Sequence, residues 1–222
     1  MSTLQFILDN NAQVMFLSWE HIWIVGLALL IASVIGVPLG IYITGHDQVA
    51  TRVLNSATVL MTIPSIALFG LMLPILALFN MGLGKVPAVI ALVLYSQLPI
   101  IRNTYTAIKN VPPELVDAAK GMGMDRWKLL REVEIPLAIP VIIAGLRTAA
   151  VMNIGIAAIA VYIGSGGLGV YIEQGIARVY PEMILSGAIL VSLLAIIVDG
   201  LMALLERMAT PAGIKLQRTL AR

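Results

Sequence analysis

Charged residues inside long apolar runs are the groups of this chain that most need a chemical account. Arg147 and Asp199 both lie in such runs, and a charge inside a membrane is costly unless it is paired or hydrated. A mutual ion pair explains both residues, and separate access of each to water at the inner interface explains them equally well. The chain has no G-x-x-x-x-G-K-[ST] phosphate loop, and its apolar runs carry no nucleophile–base pair. We therefore predict no catalytic residue and no ATP hydrolysis by this chain alone.

Three uncharged polar residues near the middle of apolar runs are candidates for a transport path. They are Tyr95, Gln97 and Asn153, and the face of a tyrosine ring can hold a quaternary ammonium group. The alternative is that they form hydrogen bonds to neighbouring helices. His21 and His46 have no second ligand at metal spacing, so we expect both at the membrane interface and predict no metal site and no cofactor.

A glycine-rich run matches the dinucleotide-binding pattern G-x-G-x-x-G. It reads Gly164-Ser165-Gly166-Gly167-Leu168-Gly169. That pattern binds a pyrophosphate only at a strand–helix turn of a βαβ unit, and no such unit surrounds it here. We predict a tight turn between two membrane spans instead.

Residues 109–135, which we call the polar island, separate two long apolar runs. Four apolar residues recur in it at i, i+3, i+4 and i+7, as on one face of a helix: Leu115, Ala118, Ala119 and Met122. Pro113 suits the first helical position, and Gly121 and Gly123 suit a helix end that needs positive φ. A stripe this short cannot bury itself, so we expect it to dock on a partner.

A second short helix is predicted in the same island. Asp125 is a good N-cap, and Trp127, Leu130 and Val133 share one face before Pro136. We expect Trp127 to hold this helix against the membrane-side helices.

The island resembles a loop of permease subunits of bacterial ATP-binding-cassette importers, which reads E-A-A, three residues, G, nine residues, I-x-L-P. Asp117-Ala118-Ala119, Gly123, Val133 and Ile135-Pro136 stand in register with it. Asp replaces Glu, Val replaces Ile and Ile replaces Leu, all mild changes. In that family the loop is the coupling helix, which sits in a cleft of the ATPase subunit. The resemblance implies that a set of residues performs this coupling here: Glu114, Asp117, Ala118, Ala119, Gly123, Trp127, Val133 and Pro136.

Three further segments narrow the resemblance. Thr62–Leu68, Leu98–Tyr105 and Ile163–Gly169 are similar to segments of the permeases that import glycine betaine, choline and carnitine. The glycine run is also similar to methionine importers, which stay as the alternative branch. The resemblance implies two ATPase subunits, a second permease copy that is identical or paralogous, and an external substrate-binding protein. A channel or secondary transporter without an ATPase is the rival class, but it would need a proton-coupling or gating group at the midplane and an inverted repeat.

Composition places these features in a membrane. The chain is 59% hydrophobic and only 12% charged, about half the usual charged share of soluble domains. We predict one all-α, polytopic domain over 1–222, and the resemblance implies the type I importer permease fold. Since a span takes about 20 apolar residues, we predict five of them, near 22–44, 57–79, 86–108, 136–163 and 183–206. Residues 1–21 are predicted to lie at the outer interface and 207–222 to form a cytoplasmic tail.

The distribution of basic residues predicts the orientation. With the N-terminus outside, the outer side holds only Lys85 and Arg178 of the 14 Lys and Arg residues, and an excess of basic residues marks the cytoplasmic side. We therefore predict that the polar island and the C-terminus lie in the cytoplasm, and the resemblance implies that the membrane is the bacterial inner membrane, crossed several times. The net charge of +2 is too small to indicate a nucleic-acid partner.

Overall fold

The computed structural model describes residues 2–210, and every regular element in this range is helical. A π-helical turn (Leu130–Glu134) leads into α8, and a 3₁₀ turn (Ala160–Ile163) follows it. The helices in chain order are α1 (Thr3–Asp9), α2 (Asn11–Ile43), α3 (Asp47–Thr62), α4 (Ser65–Ala77), α5 (Lys85–Lys109), α6 (Pro113–Gly121), α7 (Arg126–Leu129), α8 (Ile135–Ile159), α9 (Gly169–Ala177) and α10 (Pro181–Ala209). The predicted all-α polytopic fold is confirmed. Residues 211–222 of the predicted tail lie outside the described residues.

The predicted spans correspond to four long helices and one bent pair. Helices α2, α5, α8 and α10 are long and apolar enough to cross a membrane. The segment predicted as one span at 57–79 is instead the pair α3 and α4, which meet at 99°. Five spans result when this pair is counted as one. The first long helix begins at Asn11 rather than near residue 22. Residues 11–21 of the segment predicted as interfacial are therefore the first part of α2.

A proline and a tyrosine account for the bend between α3 and α4. Pro64 disfavours helical geometry at the residue before it, and Ile63 is extended, with φ −69° and ψ 125°. The break frees the carbonyl group of Ile63, which accepts a hydrogen bond of 2.5 Å from the Tyr95 hydroxyl of α5. The freed carbonyl group is thereby satisfied inside the protein, as a membrane environment requires.

Helix α5 lies at the centre of the bundle, where small residues of its neighbours allow close approach. A Cβ at Gly40 of α2 would lie 2.6 Å from the Cβ of Thr104, and one at Gly145 of α8 would lie 2.7 Å from the Cβ of Asn103. Gly36 meets α5 in the same way, so the small-xxx-small face at Gly36 and Gly40 packs against another helix. Backbones in close contact gain van der Waals packing that lipid does not supply.

Ion pairs mark the two ends of the bundle. At one end, which we call the glycine end, Lys85 pairs with Glu20 at 2.7 Å, and the turn 164–169 lies beside them. At the other, the island end, Lys109 pairs with Asp47 at 2.9 Å where the polar island begins. The 25 residues of α5 join these ends and span about 37 Å at 1.5 Å per residue. That length crosses a hydrocarbon core of about 30 Å.

Candidate functional site

The polar island folds into the two short helices that its spacing predicts. Helix α6 starts at Pro113, and Gly123 follows its end with φ +80°. The Asp125 side chain caps α7 by accepting a hydrogen bond of 2.8 Å from the backbone N–H of Lys128. Gly121 is the last residue of α6 and does not have positive φ, so the left-handed position belongs to Gly123 alone.

The apolar stripe of the island is mostly uncovered. Ala119 is buried, whereas Leu115, Ala118 and Met122 are exposed. Glu114 and Asp117 lie beside them and are exposed as well. An exposed apolar face of this kind is typical of surfaces that bind partners, and docking of the stripe on a partner stays a prediction.

Trp127 does not hold α7 against the bundle, so that part of the prediction is wrong. Its side chain is 69% exposed, whereas Leu129 is buried. Trp127 and Leu129 are two residues apart, so they point to nearly opposite sides of a helix with 3.6 residues per turn, and Leu129 takes the inward side. Trp127 therefore joins the exposed face of the island, where a partner can reach it.

A buried carboxylate ties the island to α8. Glu134 lies at the end of the π-helical turn with only 5% of its surface exposed, and its Oε1 accepts a 2.5 Å hydrogen bond from Arg126. Val133 and Pro136, on either side, are half-buried. The α7 segment, the π-helical turn and α8 form one continuous run from Arg126 to Ile163. Nothing in the sequence indicated this pair, because Arg126 and Glu134 are eight residues apart. Side chains of one helix are expected to meet at three or four residues apart.

Two of the three candidate path residues form bonds between helices. Asn153 Nδ2 donates to the hydroxyl of Ser96 at 2.8 Å, and Tyr95 caps the break at Ile63. Gln97 differs, because among the described residues its Nε2 donates only within α5, to the carbonyl oxygen of Val93 at 3.1 Å, and its side chain borders a cleft of about 370 Å³. That cleft lies between α2, α3 and α5.

The structure brings Arg147 and Asp199 together. Arg147 Nε donates to Asp199 Oδ1 at 2.5 Å and Nη2 donates to Oδ2 at 2.7 Å, which is a bidentate pair. Glu206, about two turns further along α10, lies 3.6 Å from the same guanidinium. The side chains of Arg147 and Asp199 are 34% and 41% exposed, and they border a cleft of about 530 Å³.

His21 is buried inside the protein at the glycine end, in contacts that the expectation of an interfacial histidine did not include. Its Nδ1 accepts a hydrogen bond of 3.2 Å from the N–H of Leu168, and its Nε2 lies 3.1 Å from the carbonyl oxygen of Ile154. Together these partners assign the neutral ring with the proton on Nε2. His46 is exposed, with Nδ1 3.1 Å from the Tyr42 carbonyl oxygen. Within residues 2–210, no group of three or more His, Asp or Glu side chains could hold a metal ion.

The glycine run forms a tight turn between α8 and α9, as predicted. Gly164, Gly166 and Gly167 have φ near +80°, and the N–H of Gly167 donates to Glu20 at 3.3 Å. No strand lies beside the turn anywhere in residues 2–210, so the dinucleotide-binding pattern has no structural basis.

Comparison with known proteins decides the family. The model for "binding-protein-dependent transport system inner membrane component" matches residues 36–210. The chain belongs to that family. It is a multi-pass inner-membrane permease subunit of an ATP-binding-cassette importer, and such subunits are not themselves ATPases. As a member of a binding-protein-dependent system, this permease works with an ATPase and a substrate-binding protein.

Curated relatives cover nearly the whole permease. The osmoprotectant import permease protein OsmW of Salmonella typhimurium is 51% identical over 97% of this chain and 100% of its own length. The glycine betaine/carnitine/choline transport system permease protein OpuCB of Bacillus subtilis is 42% identical over 96% of this chain and 95% of its own.

Solved structures share the fold. A solved structure of the MetNI methionine ABC transporter in an inward-facing conformation aligns with a TM-score of 0.79 at 21% identity. The alignment covers 89% of this chain and 96% of that chain. An amino acid ABC transporter with histidines aligns with a TM-score of 0.75 at 22% identity, covering 94% and 99%. The likeness establishes the type I importer permease fold for this permease.

Proposed function

We propose that this permease passes a small quaternary ammonium osmoprotectant, such as glycine betaine, choline or carnitine, across the inner membrane. The observation that carries the proposal is the 51% identity, over the full length of the relative, to a permease named for osmoprotectant import. Relatives named for glycine betaine, choline and carnitine transport, at about 40% identity, point to the same class of solute.

The exposed face of the polar island is the docking surface for a cytoplasmic ATPase. Leu115, Ala118, Met122 and Trp127 supply its uncovered apolar area, and Asp117 and Glu114 supply charge at its edge. Gly123 lets the chain turn between the two short helices. Two ATPase subunits and two permeases, identical or paralogous, complete the importer.

Movement of the island reaches the membrane through α8. The Arg126–Glu134 pair and the π-helical turn join α7 to α8 without a break, so a displacement of α7 carries α8 with it. Helix α8 also carries Arg147, which is paired with α10. Closure of the ATPases therefore rocks α8 and α10 together, which is a rigid-body form of alternating access.

The N-terminus and the glycine end face outward in this proposal. The island end holds most of the described Lys and Arg residues, and basic residues concentrate on the cytoplasmic side. The transport path needs only weak polarity, because the external binding protein selects the solute. Gln97 is the path candidate that the geometry favours, whereas Tyr95 and Asn153 support the helices that line it.

Uptake of labelled solutes tests the proposal. Cells without other osmolyte importers would be compared with and without this permease expressed together with its ATPase and binding protein. We expect uptake of glycine betaine, choline or carnitine that stops when the ATPase carries a defective phosphate loop. Uptake of methionine alone would reject the quaternary ammonium substrate in favour of the methionine branch. Uptake that persists without the ATPase would favour a channel or secondary transporter.

A further inference from the structure

The turn between α9 and α10, at the glycine end, places a valine where glycine is expected. The N–H of Tyr180 donates to the carbonyl oxygen of Gly175 at 2.8 Å, and the N–H of Val179 donates to that of Ile176 at 3.1 Å. These two bonds define a Schellman turn, whose left-handed position is usually occupied by Gly and sometimes by Asn. Val179 occupies it with φ +52°. A β-branched residue is a genuine outlier there.

A second turn at the same end has an asparagine, a residue that tolerates positive φ, at the corresponding position. After α4, the N–H of Asn80 donates to the carbonyl oxygen of Ala77 and that of Met81 to Leu76, both at 3.0 Å. Asn80 takes the left-handed position with φ +57°, which asparagine tolerates well. The two turns have the same backbone hydrogen bonds. The strain at Val179 therefore comes from its β-branched side chain and not from the backbone conformation of the turn.

Nothing inside the fold explains why that side chain is a valine. Val179 is 84% exposed, and the neighbouring Ile176 and Arg178 are exposed too. No ion pair to Arg178 is present within residues 2–210. Strain of this kind clusters at functional sites, which points to a contact of this side chain with a partner.

A rigid base holds the turn in place. Tyr171 of α9 is fully buried and packs edge to face against Phe6 of α1, with ring centroids 5.7 Å apart. Phe6 meets Tyr180 at the same distance. A Cβ at Gly175 would lie 2.7 Å from Ile184 of α10, so α9 and α10 are in direct contact. The exposed side chains are therefore presented in one fixed arrangement, which lowers the entropy lost when a partner binds.

We infer that Val179, with Ile176 and Arg178, is a docking knob for the external substrate-binding protein. The inference rests on the proposed function and on the outward orientation of the glycine end. The matching surface is a small apolar pocket with carboxylates at its rim, because the knob is apolar with one unpaired cation beside it. Lipid fits less well, since the turn carries Arg178 and α10 has Glu182 in its first turn. Charged side chains are costly inside the hydrocarbon core.

Replacing Val179 with glycine separates docking from folding. Val179→Gly removes the strain, so the thermal midpoint of the purified permease–ATPase complex should stay unchanged or rise. In proteoliposomes, the binding-protein concentration for half-maximal uptake should rise about tenfold, as for loss of a central interface anchor. Val179→Asn keeps the left-handed backbone but is polar, and it should show the same loss. Asn80→Gly is the matched control and should leave half-saturation at the wild-type value.

Cross-linking tests contact directly, because the chain has no cysteine. A photoactivatable maleimide on Val179→Cys should give an adduct with a tagged binding protein. An excess of untagged binding protein should suppress the tagged adduct. Wild-type half-saturation for both Val179→Gly and Val179→Asn, or an adduct with lipid alone, would overturn the inference. A wild-type importer that shows no uptake dependent on the binding protein would instead count against the proposed function.

Discussion

Two turns of this permease use the same backbone conformation in opposite surroundings. Gly123 of the polar island and Gly167 of the glycine run have φ of +80° and +83°. A Cβ at Gly123 would meet nothing within 4 Å, whereas one at Gly167 would lie 3.0 Å from Nδ1 of His21. The glycine end is closed against its own α2, and the island end is open. Glycine is thus required for space and conformation at one turn, and for conformation alone at the other.

The largest effect is expected where the closed turn enters α9. A Cβ at Gly169 would overlap the backbone carbonyl of Ala158, which cannot rotate away as a side chain can. Gly169→Ala should lower the free energy of unfolding by about 3 kcal/mol or more, measured by thermal or denaturant unfolding in detergent. Gly155→Ala in α8 is the control, because a Cβ there meets nothing within 4 Å; equal stability of the two variants would mean that the end is not closed.

The next largest effect concerns the histidine that closes the turn. His21→Leu leaves the buried N–H of Leu168 without its acceptor, which should cost about 1–3 kcal/mol of stability. His46→Leu is the matched control at the island end, where the ring is exposed, and it should change stability little. Native-state hydrogen exchange at Leu168 should accelerate in the first variant only. Unchanged exchange would show that His21 does not hold the turn.

The open turn should respond in function more than in stability. Gly123→Asp places a side chain at positive φ, a cost of about 1–2 kcal/mol, in empty space. We expect the permease to remain in the membrane while co-purification of the ATPase and stimulation of ATP hydrolysis are lost. Gln48→Asp adds the same charge at an exposed position in the first turn of α3, outside residues 109–135, and should assemble normally. Normal assembly of Gly123→Asp would remove the island turn from the docking surface.

The smallest effect on stability is expected for the Arg147–Asp199 ion pair, which lies between the two ends of the bundle. Arg147 and Asp199 are each about one-third or more exposed, so solvent screens the charge that a single neutralisation leaves behind. Arg147→Gln and Asp199→Asn should each reduce uptake more than the double variant does, because each leaves one charged side chain without its bidentate partner. A double-mutant cycle of uptake rates measures this difference. Strictly additive losses would indicate two independently hydrated charges.

Local signals carried much of the fold and of the coupling surface. Pro113 at the start of α6, the Asp125 cap and the positive φ of Gly123 were all predictable, because each depends on the residue's own conformational preference. Long apolar runs likewise predicted α5, α8 and α10 to within a few residues. The bend at Pro64 was the exception: the proline was visible, but a 99° break also needs a donor for the freed carbonyl, and Tyr95 supplies it from another helix.

The contacts that close the molecule could not be predicted in this way. His21 and Leu168 are 147 residues apart in the chain, and a single histidine near an apolar run gives no sign of its partner. Trp127 was assigned to the wrong side for the same reason, since an apolar side chain indicates burial without saying in which contact. The choice between an ion pair and separate hydration for Arg147 and Asp199 was also left open until the helices were placed.

The sequence by itself determined the membrane class, three of the four long helices, the family and the residues that turn the chain in the polar island and the glycine run. Those properties follow from composition, from periodicity and from the φ preferences of single residues. Only the tertiary structure decided which glycine is enclosed and which is free, and which polar groups bind one another across helices. Such pairings depend on distances between segments remote in the chain, and no local preference encodes those distances.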